Sequence, residues 1–175
     1  SSNNNNNKLA LKYFNNLSHL KNNHDHFNHE LVFTLVQAQK IPDAFLYLKK
    51  LKKKNVNFFN ANLLLGINYF LEKNYKKSTS HFNSILQNRK FSNFEKLIAQ
   101  LLLSYIKVFE NRLNDYNTEL NIVPENYKNF VLINKAFINC YLDNKKVDAG
   151  FLRLIDPNLL NFTRYNFFYI NFLVS

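Results

Sequence analysis

The chain has 175 residues, of which 46% are hydrophobic and 20% are charged, so it can bury a core and is not a disordered tail. It contains only two glycines and three prolines, which disfavours β sandwiches and barrels because these folds need many tight turns. The single cysteine, Cys140, excludes an internal disulfide and a zinc site of several cysteines, and the formal net charge of +11 is compatible with nucleic acid, an acidic partner or an anionic surface.

The first seven residues are all Ser or Asn, and we expect them to form a flexible segment ahead of a single helical repeat domain over residues 8–175. The chain has no methionine, so we expect it to be a processed protein or a piece of a longer one. No stretch reaches the roughly 18–20 consecutive apolar residues that a membrane-spanning helix needs, which predicts a soluble chain without a transmembrane span.

A repeated trio of residues marks the first half of the chain. Each trio has a small residue, a bulky residue four positions later and an aliphatic residue three positions after that: Ala10/Phe14/Leu17, Ala44/Leu48/Leu51 and Ser78/Phe82/Ile85. Ala44 lies 34 positions after Ala10, and Ser78 lies 34 positions after Ala44. Offsets of four and three put each trio on one face of a helix, where the small residue lets a neighbouring helix approach.

The predicted helices follow in chain order from residue 8. Residues 8–21 form the first helix, and turns at 40–43 and 72–75 separate each later trio from a partner helix that precedes it. The partner helices carry two apolar faces: Phe27, Leu31 and Leu35, then Leu63, Gly66, Tyr69 and Phe70. After residue 90 the period fails, because counting 34 on from Ser78 gives Arg112. Helices are still predicted over 93–109, 112–121, 127–142, 147–155 with Ala149 as the small residue, and from Pro157 to about 173.

The segment Leu65-Gly66-x-x-Tyr69, followed by Asn74-Tyr75, Ser78 and Phe82, resembles the tetratricopeptide repeat. The resemblance covers residues 8–90. It implies an all-α fold, an α-α superhelix in which about four antiparallel helical hairpins, the first incomplete, stack as a right-handed solenoid.

The resemblance also implies a concave groove lined by the first helices. The family's inner-face positions fall on His26, His29, Phe33, Val36, Asn60, Leu63, Ile67 and Phe70. This face suits an extended peptide or an amphipathic helix, so the predicted function is a non-catalytic scaffold that binds a protein or peptide partner. The alternative for this face is that its side chains pack on neighbouring repeats. The oligomeric state stays open.

Nucleic-acid binding is the competing interpretation, because helical repeats can bind RNA and the chain is rich in Lys, Tyr and Phe. The lysine runs at 49–54, 76–77 and 145–146 fall on second helices or turns, away from the predicted groove. A/T-rich codons would also produce an Asn-, Lys- and Phe-rich basic chain, so the charge alone says little about function.

The segment from His24 to Glu30 is the one stretch with the residue types of a metal site. His26 lies three positions before His29 and four before Glu30, as ligands on one helix require, but His24 does not converge with them. We favour solvated side chains at a helix start over a metal site. No phosphate loop or nucleophile elbow is present, and Cys140 sits in an apolar run typical of a buried residue. We therefore predict no catalytic residues, no metal and no cofactor.

Overall fold

The structure is a computed structural model that describes residues 2–17, 19–20, 24–51, 57–112, 115–142, 147–156, 158 and 163–174. Its α-helices are α1 (Ser2–Asn16), α2 (Asp25–Gln37), α3 (Ile41–Lys50), α4 (Phe59–Leu71), α5 (Tyr75–Gln87), α6 (Asn93–Phe109), α7 (Tyr116–Asn121), α8 (Lys128–Tyr141), α9 (Val147–Ile155) and α10 (Asn166–Val174). Short 3₁₀ turns cover Glu125–Tyr127 and Thr163–Tyr165. No strand occurs among these residues, which confirms the all-α prediction.

Several helix boundaries agree with the sequence pattern. Helices α6 and α9 span the predicted residues, and α6 begins with a reciprocal cap in which Ser92 Oγ accepts from the Glu95 backbone N–H at 3.2 Å while Glu95 accepts from the Ser92 N–H at 2.7 Å. Helix α7 begins at Tyr116 rather than at Arg112. The predicted start of the last helix, Pro157, lies outside the described residues, and α10 begins at Asn166.

Helix α1 differs most from the expected boundary, because it begins at Ser2 and includes residues that the sequence assigned to a flexible segment. Residues 2–16 contain neither Gly nor Pro, so nothing in this run stops a helix from extending towards the N-terminus. Contacts also divide the chain into two compact units, residues 1–99 and 100–175, where the sequence predicted one domain.

The first unit has its core where the repeated trios predict it. Five buried apolar residues form one cluster of this core: Val32, Leu48, Leu51, Ala61 and Leu65. All members of the second and third trios are buried. In the first trio Ala10 and Phe14 are half-buried and Leu17 is exposed.

The closest approach in the first unit joins α4 to α5 at Gly66. Phe82 is 1% exposed and lies over this glycine, so that a Cβ added there would meet the ring at 2.4 Å. The Ser78 hydroxyl donates to the Gly66 carbonyl at 2.7 Å. The small residues predicted at 66 and 78 therefore allow the two helices to pack in contact.

Three helices end in the same kind of turn. Gln39, Lys73 and Asn111 have φ values of 59°, 57° and 59°, in the left-handed region. After each, the next N–H bonds to the carbonyl five residues back: Lys40 to Leu35, Asn74 to Tyr69 and Arg112 to Lys107. The first two turns are 34 residues apart, and the third follows after 38, because α6 has 17 residues where α2 and α4 have 13. One extra helical turn in α6 thus accounts for the failure of the period after residue 90.

The second unit packs α8 against α9. Ala136, Phe151 and Leu154 form a buried cluster, and Cys140 is half-buried against it. The close approach uses Gly150, where an added Cβ would lie 3.5 Å from Ala136. Ala149, predicted as the small packing residue, is exposed, so the prediction was wrong by one position. No helix among the described residues is both long and apolar enough to cross a membrane.

Candidate binding groove and histidine sites

A groove of about 950 Å³ lies in the first unit, between the C-terminal end of α3 and the facing sides of α4 and α5. Its lining is Leu48, Lys49, Leu51, Asn57, Asn62, Leu65, Tyr69, Lys77, Ser80, His81 and Ser84. Leu48, Leu51 and Leu65 also belong to the core, so the floor of the groove is apolar and its walls carry the polar groups.

His81 is the titratable group best placed for acid–base chemistry in this groove. Its Nδ1 lies 3.0 Å from Oδ1 of Asn62, whose amide Nδ2 donates to the Phe58 carbonyl at 3.3 Å. Because this bond orients the Asn62 oxygen towards the imidazole, His81 Nδ1 must carry the ring proton and donate it. Nε2 is then the nitrogen with a lone pair in the neutral ring.

Burial lowers the pKa of His81 from its usual 6.5. The imidazole is therefore neutral at pH 7, and Nε2 can accept a proton. The ring stacks on Tyr69 with an interplanar angle of 12° and 5.6 Å between centroids. Asn62 and Tyr69, both on α4, thus hold a side chain that α5 supplies.

Two lysines bring positive charge to Tyr69. Lys49 Nζ lies 5.4 Å and Lys77 Nζ 5.1 Å from the centre of its ring. Lys49 also forms an ion pair with Glu72 at 3.1 Å. The hydrogen bond from Lys49, followed by that from Asn68, holds the pKa of the Glu72 carboxyl below its usual value. Two positive charges against one negative charge leave this side of the groove net positive, which favours an anionic ligand.

None of the eight side chains predicted to form a partner groove lines this groove. Phe33 is 45% exposed, Phe70 packs against Tyr75 with 5.8 Å between ring centroids, and Val36, Leu63 and Ile67 are half-buried. The structure does bring His29 and Asn60 together, with 3.2 Å between His29 Nε2 and Asn60 Nδ2.

His26, His29 and Glu30 form a second cluster, on α2. Their ligand atoms all lie within 4.8 Å of one another. His24 stands outside this cluster as the extended N-cap residue of α2, in agreement with the predicted lack of convergence.

The sequence stage missed His81 because its three-residue neighbourhood matches no catalytic motif. One signal was available: Lys77 and His81 are four positions apart on α5 and therefore share a helix face. The contributions of Asn62 and Tyr69 were not readable from spacing, since α4 is a separate helix whose facing side depends on packing.

No family model and no solved structure matches the chain. Among curated proteins, the chain is similar to a protein of Wigglesworthia glossinidia brevipalpis named diaminopimelate epimerase. The two are 27% identical over 146 residues, which cover 76% of this chain and 50% of the relative. The chain thus spans about half the length of the relative that it matches.

This similarity corrects the predicted function. A non-catalytic scaffold, with RNA binding as its alternative, is contradicted because the similar protein is named as an enzyme. The prediction failed because it took the absence of contiguous motifs as evidence against catalysis. Lys49, Asn62 and His81 come from three helices, so a site built from them leaves no contiguous motif.

Proposed function

We propose that the chain is part of an enzyme that removes a proton from a carbon next to a carboxylate, and that the groove of the first unit binds the substrate. His81 carries the proposal, because a neutral imidazole with a defined tautomer is a suitable general base near pH 7. An epimerase performs this chemistry when it inverts a stereocentre that bears hydrogen. The name of the relative supplies the substrate class, an amino acid with two carboxylates.

Each side chain has a role in this proposal. The ammonium groups of Lys49 and Lys77 bind a carboxylate and stabilise the negative charge that develops as the proton leaves. His81 Nε2 takes the proton from carbon, and the bonding electrons stay on the substrate as a carbanion. Asn62 accepts from Nδ1 throughout, which keeps the ring oriented. Return of a proton to the carbanion, on either face, completes the turnover.

We also propose that the hairpins of the first unit are tetratricopeptide-like. The contact of Phe82 with Gly66 and the two left-handed turns 34 residues apart support this proposal. In this arrangement the repeat supplies a rigid frame for the site, since α3, α4 and α5 each contribute lining residues.

The test is hydrogen exchange at carbon. The full chain is incubated with diaminopimelate in D₂O, and the proton NMR signal of the hydrogen next to each carboxylate is followed. We expect this signal to be lost as deuterium replaces hydrogen, and we expect His81→Gln to slow the loss by about 100-fold or more. His26→Gln is the matched control, since His26 lies outside the groove, and it should exchange at the parent rate.

Circular dichroism establishes that the variants remain folded. Binding of diaminopimelate to Lys77→Gln, followed by calorimetry, should be weaker than binding to the parent. Equal exchange by the parent and His81→Gln would overturn the role of His81, and absence of any exchange by the parent would overturn the proposed reaction.

A further inference from the structure

We propose that His26, His29 and Glu30 on α2 bind a divalent transition-metal ion, Zn²⁺ by ligand type. The site lies outside the groove, and the inference does not depend on the reaction proposed above. Residues three and four positions apart share a helix face, so the two imidazoles and the carboxylate point to one region of space. Their ligand atoms already lie within 4.8 Å of one another.

The distances are close to those of a bound ion. His29 Nδ1 lies 3.1 Å and His26 Nδ1 3.9 Å from Glu30 Oε1. Ligand bonds of about 2.0–2.1 Å in a tetrahedron place neighbouring ligand atoms about 3.3 Å apart. Only His26 has to move closer, and its side chain, 83% exposed, is free to rotate.

Asn60 on α4 supplies an outer contact that orients one ligand. In the free protein His29 Nδ1–H donates to Glu30, and the Asn60 amide donates to Nε2 at 3.2 Å. When the ion binds Nδ1, the ring proton moves to Nε2, and Asn60 turns its amide so that Oδ1 accepts it. The proton count is unchanged. The ring of Phe58, 5.7 Å from that of His29, limits the rotation of the imidazole. Metal-bound histidines characteristically have such an outer hydrogen bond.

The donor set argues for zinc over magnesium or calcium. Two imidazole nitrogens and one carboxylate oxygen suit Zn²⁺, whereas Mg²⁺ and Ca²⁺ prefer oxygen donors throughout. The positive end of the α2 dipole opposes a cation at this position, and the charge of Glu30 compensates for it. Three protein ligands leave a fourth position for water.

The test is calorimetric titration of the full chain, freed of metal by a chelator, with zinc chloride. We expect one ion per chain, and neither magnesium nor calcium chloride should give a comparable signal. Replacement of His29 or Glu30 by Gln should weaken zinc binding at least about 10-fold, because each removes one of three ligands. His24→Gln is the matched control: it removes an adjacent histidine outside the cluster and should leave the affinity unchanged.

Asn60 tests the outer contact separately. Asn60→Ala should weaken zinc binding by about 10-fold, and Asn60→Asp, which keeps an acceptor for Nε2–H, should restore it. Circular dichroism checks the fold of each variant. Zinc binding that survives His29→Gln, or that falls equally in His24→Gln, would mean adventitious binding by exposed histidines and would overturn the proposal. So would the absence of one-to-one zinc uptake by the parent chain.

Discussion

At the residue scale, the contact between Gly66 and Phe82 decides how closely α4 and α5 approach. We expect Gly66→Ala to lower the free energy of unfolding by about 1–3 kcal/mol, because the buried ring must move to admit a methyl group. Urea denaturation measures the change as a shift of the midpoint.

Gly150→Ala provides the matched control. A Cβ at this position meets Ala136 at 3.5 Å, an ordinary contact, and Ala is the better helix former by about 1 kcal/mol. This variant should be neutral or more stable than the parent. If both variants lose the same stability, overpacking against Phe82 is not the cause of the loss.

Single positions also show how far sequence reasoning reaches. Gly66 and Ser78 were identified as packing residues because their spacing fits one helix face, and both are buried. Ala149 was mistaken for Gly150 because two adjacent small residues cannot be ranked without knowing how the helix is rotated. His81 was missed because its chemistry depends on Asn62, from another helix.

At the element scale, the left-handed residue that ends α4 is a lysine. A non-glycine residue in this conformation costs roughly 1–2 kcal/mol, so we expect Lys73→Gly to stabilise the fold by about 0.5–1 kcal/mol. Lys96→Gly makes the same replacement inside α6 and should destabilise the fold by about 1 kcal/mol. Thermal or urea unfolding of the pair measures both changes, and the same sign for both would contradict the role of the turn.

The helices themselves were largely predictable from hydrophobic spacing, as α6 and α9 illustrate. The repeat beyond residue 90 was not, because one additional turn in α6 shifts every later position by four residues. A search at a fixed interval reads such a shift as the end of the repeat. The tetratricopeptide-like superhelix remains a prediction.

At the scale of the whole molecule, stability should depend on pH through His81. Burial lowers the pKa of His81 in the folded state, so the unfolded chain binds more protons as pH falls through 6.5. The free energy of unfolding should therefore decrease between pH 7.5 and 5.5. His81→Gln should show a smaller decrease, measured by urea denaturation across this range.

Gly66→Ala serves as the comparison for this experiment. It changes stability without removing a titratable group, so its pH dependence should match that of the parent. A parent and a His81→Gln variant with identical pH dependence would show that burial does not perturb the imidazole. Glu72 titrates in a lower window: its pKa is depressed from 4.5, so the stability it contributes is present above 4.5 and is lost only as pH falls further.

The succession of helices that pack on their nearest neighbours in the chain, α1 on α2, α2 on α3, α4 on α5 and α8 on α9, also bears on kinetics. Contacts of this kind close short loops, and proteins rich in them fold quickly because little chain entropy is lost before each contact forms. Folding can then start at any hairpin and spread to the next. The chain should consequently lose structure piecemeal, hairpin by hairpin, on its way to the unfolded state.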